Sequence, residues 1–558
     1  MLRASRSLIA TSIVLYEGMV DLQMVRSSFP TAGATYISRI TYMTLTLNSL
    51  DPSEILQDQA TLEACSADVY ARGLTAYALV RPRSAARCAA AIAELTAARH
   101  PIVVRGGGMS YTGGYVPVRE RTVMLDTSAL DTIVEINAAD MYITVEVGVT
   151  WKRIYEVLRP LGLRLPFFGT FSGAQATVGG GLSNGALFLG TARYGTGADA
   201  VLGLEVALAD GSIVRTGQIG FAAAQKPFYR TCGPDMSGLF LHDAGSLGVK
   251  LRATLRLIEA PKETGHASFM FDHIEAAARA LSAIGRSGAA EEAYVFDPAT
   301  TRKNLRSEGL LSDANMLLNV VRSESAWWRG LKEGWGLVKA GRHFLPEQAY
   351  SLHVTCAARS VAALEADLET CRQAALQQGG SVIPHSIPKA VRANLFPPLE
   401  GVVGAEGERW AALNAKVAHS DAEKIIRASA EKLAPYRERM QTEGVWMSHL
   451  LIAISNHAFS FEPVFHWHDE WLPVHQRFAN ASLQQRLGAS PAKPAARELV
   501  AEMRAELITL FTELGAASNQ LGKTYPYRSV LRPETAALFD KLKAAVDPRG
   551  VMNPGALD

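Results

Sequence analysis

With 558 residues the chain is long enough for two or more domains with well-buried cores. Its 56 Lys and Arg against 54 Asp and Glu leave a net charge of +2, which excludes a general attraction to nucleic acid or to an anionic membrane. Five cysteines (Cys65, Cys88, Cys232, Cys356, Cys371) show neither CxxC metal spacing nor a disulfide framework, so a reducing, cytoplasmic compartment is expected, and no apolar run reaches the roughly 18 residues that span a bilayer.

Residues 1–50 read as an extension. Arg3 and Arg6 precede SLIATSIVLY, and Met19, Met24 and Met43 follow. The stretch reads either as a targeting segment, with a brief apolar core and no clear A-x-A site, or as sequence ahead of a later start.

Residues 101–126, PIVVRGGGMSYTGGYVPVRERTVMLD, carry the strongest local signal. A short strand, Ile102 to Val104, runs into Arg105-Gly106-Gly107-Gly108, then Met109, Ser110 and a second pair, Gly113-Gly114. Successive N–H groups in such a turn converge into a concave anion site suited to a diphosphate, whereas three glycines alone also fit a plain loop between strands. A strand at Met141 to Val147 follows, and Gly148-Val149-Thr150-Trp151 opens a helix over Lys152 to Arg159. A second glycine block spans 172–217, with Thr177, Gly179-Gly180-Gly181, Ser183 and Gly185 at its front. Leu202 to Leu208 is strand-like, and Asp210-Gly211 turns the chain back into Ile213-Val214. A third cluster runs from Gly233 through Gly245, Gly248 and Val249, and the tail closes on DPRGVMNPG with Asn553. No strand–GxGxxG–helix unit with a following ribose acid is evident, so this is not a Rossmann site.

From about 260 to 514 the glycines thin out. Ser268 to Phe271, Ile274 to Ile284 and Ala293 to Phe296 read as strand, helix, strand. Tyr350 to Cys356, Ser360 to Gln377 and Ser381 to Ile383 repeat the pass, which predicts an α+β unit on an antiparallel sheet. Between the passes, Trp327, Trp328, Leu331, Trp335 and Val338 share helical spacing, with Arg329, Lys332 and Lys339 interleaved. That face reads as the buried side of a domain helix in preference to a membrane contact. Leu487 to Ala496 reads as an exposed loop. Five of the 13 histidines fall between His449 and His475, including His457, His466 and His468.

In order and spacing these segments resemble the flavin-binding domain of the vanillyl-alcohol oxidase/p-cresol methylhydroxylase superfamily, which includes FAD-linked D-lactate and glycolate dehydrogenases. The likeness covers residues 60–258 and 515–558. It implies an α+β fold: an FAD-binding domain over 51–260, an inserted antiparallel cap domain over 261–514, and a C-terminal segment, 515–558, completing the flavin site. It implies FAD held by Arg105, Gly106, Gly107, Gly108, Met109, Ser110, Gly113, Gly114, Thr177, Gly179, Gly180, Gly181, Ser183, Gly245, Gly248, Val249 and Asn553. Members with flavin bonded at the first loop carry His where this chain has Met109, and those bonded at a second place carry Cys near Gln175. The expectation is therefore non-covalent FAD, or one link through a cap residue such as His466 or His468. The metal-using 2-hydroxy acid dehydrogenases carry H-x-G-D-G-N-x-H and E-H-G. Here the nearest segments are His449…Asn456-His457 and Ser518-Asn519-Gln520, without the acid, so no metal is expected.

The function this implies is oxidation of a hydroxyl-bearing carbon by hydride transfer to FAD, with oxygen or an electron carrier as acceptor. A D-2-hydroxy acid ranks ahead of a 4-hydroxybenzyl-type alcohol. A non-redox flavin transferase like alkylglycerone-phosphate synthase and a binding protein that keeps FAD for structure are the remaining readings. The expected catalytic group is a histidine among His449, His457, His466 and His468, taking the hydroxyl proton. Arg528, with Tyr527 or Lys523, is expected to anchor an anionic group, either a carboxylate or a phenolate. Oligomer formation is left open.

Overall fold

The computed structural model describes residues 44–298, 349–404, 406–488 and 490–558. The extension up to residue 43 and the tryptophan-rich stretch Trp327–Val338 lie outside the described residues.

The first sheet grows around a short parallel pair. β1 (Ile55–Leu56), β2 (Ala78–Val80), β3 (Ile102–Arg105) and β4 (Val123–Asp126) lie in the order β1-β2-β4-β3. β4 runs parallel to both β2 and β3, while β1 pairs antiparallel to β2, so the sheet is mixed. β2 and β4 are wholly buried, as near-continuous apolar runs in parallel sheets are. Between β2 and β3, α1 (Ala85–Ala97) starts where Ser84 accepts a bond from the Arg87 N–H at 3.3 Å. The C-terminal tail returns to this sheet's edge: Ile102 N–H donates to Val551 O (2.8 Å) and Asn553 N–H to Ile102 O (2.7 Å).

The second sheet is antiparallel. β5 (Ile133–Asn137), β6 (Tyr142–Glu146), β8 (Val201–Ala207), β9 (Ile213–Arg215) and β10 (Val249–Arg256) take the order β5-β6-β10-β8-β9, while β7 (Leu163–Arg164) pairs apart with β11 (Ile258–Glu259). The turn expected at Asp210-Gly211 joins β8 to β9, with Gly211 at φ 83°. Between β7 and β8, α2 (Val178–Asn184) carries the second glycine block.

The third sheet has eight strands. β12 (Glu263–Phe271), β13 (Glu292–Phe296), β14 (Tyr350–Ala358), β15 (Ser381–Ile383), β16 (Arg409–Ala412), β17 (Ala415–Val417), β18 (Trp446–Ile454) and β19 (Ala458–Trp467) take the order β15-β12-β14-β13-β18-β19-β16, with β17 also on β19. All its pairs are antiparallel. The two strand–helix–strand passes are β12–α3 (Ile274–Ser287)–β13 and β14–α4 (Val361–Gln377)–β15. α5 (Ala422–Leu433) and α6 (Pro494–Glu513) add to the helical layer. The loop expected over Leu487–Ala496 is shorter than that, because Pro494 takes the first position of α6, where its missing N–H costs nothing.

Both faces of this sheet are covered. Phe459, Phe461, Phe465 and Trp467 of β19 and Leu451 and Ala453 of β18 share one core with α3, α5 and α6. The alternate residues, such as Tyr294, Phe296, Ile452 and Ile454, share another core with Phe168, Leu187 and Phe188 from beside the second glycine block. Side-chain alternation thus turns the remaining even positions of β19 (Ser460, Glu462, Val464, His466) toward the glycine-rich side.

Candidate active site

The first glycine loop presents a run of backbone donors. Among the described residues, no protein atom accepts a bond from the backbone N–H groups of residues 106–111, although Gly107 and Gly108 are buried. Buried backbone donors are almost always paired, so a run of open ones marks where a ligand's acceptors belong. The second glycine block presses against this loop. A Cβ on Gly107 would lie 2.1 Å from Gln175 O, and one on Gly106 would lie 2.3 Å from Thr177 Oγ1. Only glycine permits that approach. Thr177 also caps α2, accepting from the Gly180 N–H at 3.3 Å, while Gly179 N–H donates to Val147 O at 2.9 Å.

The other expected flavin residues close around the loop. Asn553 donates from Nδ2 to Gly114 O (2.7 Å) and to Ala244 O (2.5 Å), which ties the tail to the first loop and to the turn that carries Gly245. Ala244 N–H in turn donates to Ser183 O (3.0 Å). A buried Lys250–Asp243 pair (2.6 Å) and a Gly245 N–H bond to Asp243 (3.0 Å) hold that turn, and Gly248 leads into Val249 at the start of β10. Tyr115 donates to Gly108 O (3.0 Å), Arg105 bonds Gly106 O (3.3 Å), and Gly113 N–H donates to Asp68 (2.7 Å). Ser110 Oγ accepts from Thr112 N–H (3.2 Å), and Met109 is half-buried beside it. The chemistry of the cradle, open N–H donors in a glycine-lined turn, fits a diphosphate.

Beyond Ser110 the loop runs into a polar cluster fed by three segments. Gln520 Oε1 accepts from the Tyr111 hydroxyl (2.8 Å) and from Asn414 Nδ2 (2.9 Å). Asn414 N–H donates to the Tyr525 hydroxyl (2.6 Å), and Ser518 Oγ donates to Asn414 Oδ1 (2.7 Å). Lys416 Nζ donates to Asn414 Oδ1 (3.0 Å) and to Ser460 Oγ (3.1 Å). Trp410 meets the Tyr111 ring edge-on at 5.5 Å. Glu462 stands two positions along β19 from Ser460, on the same face. Burial drives its carboxyl up, opposed by the charge of Lys416, and drives the Lys416 ammonium down, opposed by Glu462. Burial likewise holds the Tyr111 and Tyr525 phenols well above their ordinary value, with the Glu462 charge adding to both. Lys523 is pushed down to about 8 by burial and donates to Val116 O at 2.6 Å.

The four candidate histidines and the Tyr527-Arg528 pair lie in different parts of the structure. His449 sits on the helix-covered face, bonded to Asp297 through its N–H (2.7 Å) and stacked on Phe461. His457 lies exposed in the β18–β19 turn. His466 is on the glycine-facing side, buried, with Nε2 2.7 Å from Ser448 Oγ and its ring stacked on Trp446, and His468 is tilted against the same indole. Tyr527 packs edge-on against Phe539 of α7 (Pro533–Val546). Arg528 is half exposed in a two-pronged pair with Asp540 of that helix, both contacts at 2.6 Å. The chain turns Tyr527 and Arg528 to α7, and the polar cluster takes Tyr525, two positions earlier. Asn414, Lys416 and Glu462 escaped the sequence reading. Their one signal was Ser460 and Glu462 alternating with Phe459, Phe461 and Phe465.

Comparison with known proteins follows these two regions. Residues 76–217 match the family described as "FAD binding domain". Over 190 residues the chain is 31% identical to D-lactate dehydrogenase [cytochrome] 1, mitochondrial, of Saccharomyces cerevisiae, covering 34% of this chain and 31% of that one. Over 207 residues it is 30% identical to glycolate oxidase subunit GlcD of Bacillus subtilis, covering 37% and 42%. The aligned segments thus span less than half the length of these relatives. In three dimensions the chain is similar to p-cresol methylhydroxylase with substrate bound: TM-score 0.66, 17% identity, 91% of this chain and 94% of that one. The architecture is therefore α+β, with mixed and antiparallel sheets in the p-cresol methylhydroxylase fold. Residues 76–217 thus match an FAD binding domain, the chain is similar at a distance to a D-lactate dehydrogenase and a glycolate oxidase subunit, and its fold is that of p-cresol methylhydroxylase.

Proposed function

We propose that the protein is an FAD-dependent oxidoreductase that oxidises a hydroxyl-bearing carbon, with a D-2-hydroxy acid as its substrate class. Residues 51–260 and 515–558 form the flavin-binding part in this reading, and 261–514 the cap. FAD supplies the hydride acceptor, held by the open N–H groups of the first glycine loop with Thr177, Gly179 to Gly181, Gly245 and Asn553 around it. Met109 and Gln175 offer no nucleophile at the two loops, which favours non-covalent FAD.

The observation that carries the reading is Glu462: a carboxyl raised by burial, on the sheet face turned to the cradle, beside a cation with which it forms no direct ion pair among the described residues. In its ionised form a Glu462 carboxylate oxygen accepts the substrate's hydroxyl proton. Lys416, steered by Asn414 and Ser460, binds the substrate carboxylate. The aromatic wall of Trp410, Tyr111 and Tyr525 excludes water from the reacting carbon. Oxygen or an electron carrier takes the electrons afterwards.

A 4-hydroxybenzyl-type alcohol is the second reading. It is favoured by the Tyr111 and Tyr525 hydroxyls, which meet at Gln520 and Asn414 and suit a phenol ring and its oxygen. The test is anaerobic mixing of the FAD-loaded protein with D- and L-lactate, D-2-hydroxyglutarate, glycolate, vanillyl alcohol and 4-hydroxybenzyl alcohol, read as loss of the flavin's long-wavelength absorbance. Bleaching by a D-2-hydroxy acid is expected. Bleaching by the phenols alone would replace it with the second reading, and no bleaching by any would sink both.

A further inference from the structure

On the far side of the cap sheet, in its helical layer, α3 and the start of α5 enclose a recess of about 150 Å³ open to solvent. Arg279, Ser282 and Arg286 line it at i, i+3 and i+7 of α3, one face of that helix. His419, Ser420, Ala422 and Glu423 line it from the other side, with Gln378 at the rim. Ser282 is 3% exposed, yet its Oγ has no hydrogen-bond partner among the described residues. Both ring nitrogens of His419 are buried without a well-formed bond, and the Asn456 backbone is the weakest influence on that ring. Gly285 lets the imidazole come close, since a Cβ there would lie 3.1 Å from its Cε1.

Of the charged side chains that line the recess, two arginines face one acid, and Asp421 stands as a further acid at the start of α5. Arg279 is committed to Glu423 Oε2 (3.0 Å) and Gln378 Oε1 (3.0 Å), which neutralises the one acid in the wall. Arg286 forms no ion pair among the described residues. The 12-residue α5 begins at the recess with Asp421 as its N-cap, and that side chain makes no capping bond. The turn His419–Asp421 leads straight into this helix and takes the Ala422 N–H for the His419 carbonyl, so what the helix start adds at the recess is chiefly the positive end of its dipole. The unmet Ser282 hydroxyl and His419 ring, beside the Arg286 guanidinium, converge on one small space and suit an acceptor with several oxygens.

We propose that this recess is a binding site for a small tetrahedral oxyanion, either free phosphate or the phosphoryl group of a metabolite. Ser282 Oγ–H donates to it, Arg286 supplies the charge, and His419 donates one ring N–H. The site is separate from the flavin cradle, being across the sheet from Glu462 and Lys416. Burial and the nearby Arg286 lower the His419 pKa, so an anion in the recess opposes that shift.

The test is isothermal titration of inorganic phosphate and, separately, glycerol phosphate into FAD-loaded protein, in which the flavin's own diphosphate fills the cradle. Saturable binding in the millimolar range or tighter is expected, weakened about tenfold by Arg286→Gln and several-fold by Ser282→Ala. Arg372→Gln, on exposed α4 and paired to Glu369, serves as the unchanged control. Tighter binding of the ester assigns the site to a phosphorylated metabolite, and tighter binding of phosphate assigns it to the free ion. No saturation by about 10 mM of either, or equal binding by Arg286→Gln protein with an unaltered flavin spectrum, overturns the proposal.

Discussion

The cradle and the cap-sheet face are two ways of making a site. The cradle is built from backbone: open N–H groups over 106–111, a loop pressed against Gln175 and Thr177, and a tail residue that stitches three segments. The cap face is built from side chains: Lys416 from β17, Glu462 from β19, and Gln520 and Tyr525 from the segment ahead of the tail. A backbone site tolerates almost no added atom, because the clash is with main chain. A side-chain site tolerates substitution in shape and fails in chemistry.

The sharpest way to break this contrast is Gly107→Ala. The new Cβ meets a main-chain oxygen at 2.1 Å, so one glycine block must move off the other. Protein purified without FAD is the expected outcome, read from the ratio of flavin to protein absorbance. Full FAD content would mean that the two loops separate freely and that the cradle is not made by their contact.

Next in size is Glu462→Gln. General-base catalysis contributes about 10²–10⁴-fold, so flavin reduction should slow by that order with FAD content unchanged. The pH profile carries the sign. Burial raises this carboxyl, so the reactive carboxylate is present above the raised pKa and is lost as pH falls through it, in a window above the ordinary carboxylate range. Flavin reduction in the parent should fall through that window, and in the variant it should be flat there. A variant that keeps the parent's profile would return the base to His466, the histidine on the same face.

Lys416→Met keeps the length of the side chain and removes its charge. A bond to a charged partner is worth about 1.5–3 kcal/mol, which is about 10–100-fold in the KM of a carboxylate substrate, with kcat less affected. An unchanged KM for the acid, together with an unchanged response to a phenolic alcohol, would remove Lys416 from the binding of either substrate.

Why one region was legible and the other was not follows from the same contrast. Backbone recognition needs glycine at consecutive positions, so GGG at 106–108 and at 179–181 stand in the sequence as blocks. The Asp210-Gly211 turn and the passes β12–α3–β13 and β14–α4–β15 are local too, and the chain forms each of them. Lys416 and Glu462 meet only through the order β13-β18-β19-β17, which no short stretch encodes. The histidines could not be sorted from sequence for a related reason. A sheet buried on both faces gives apolar residues at odd and even positions alike, so alternation places His449 opposite His466 without saying which face holds the site. Region 385–440, with little periodic pattern, holds β16 and β17, the strands that carry Trp410 and Lys416.

Asn553→Ala tests the stitch between tail and cradle. Its side chain makes two bonds, a part-buried one to Gly114 O and a buried one to Ala244 O, and each such bond contributes about 1 kcal/mol with a further cost for an acceptor left unmet. A loss of about 2–3 kcal/mol is expected, read as a lower denaturant midpoint, together with weaker FAD retention. A stable variant that keeps its flavin would show that the backbone contacts of Ile102 to Val551 and Asn553 suffice to hold the tail.

Arg528→Ala should do least, and that is its value. A Tyr-Arg pair just ahead of the terminal glycine motif looked like an anion anchor, yet the guanidinium is half exposed and engaged by Asp540 through both prongs. Exposed pairs are screened by water and salt, so neither melting temperature nor FAD content should move measurably. KM for a carboxylate substrate should also stay where it is, in contrast to Lys416→Met. If Arg528→Ala instead raises KM while Lys416→Met does not, then Arg528 leaves Asp540 when substrate arrives and the anchor belongs to the segment before the tail. The pair of variants therefore decides between a cation fixed by the cap sheet and one recruited from the surface.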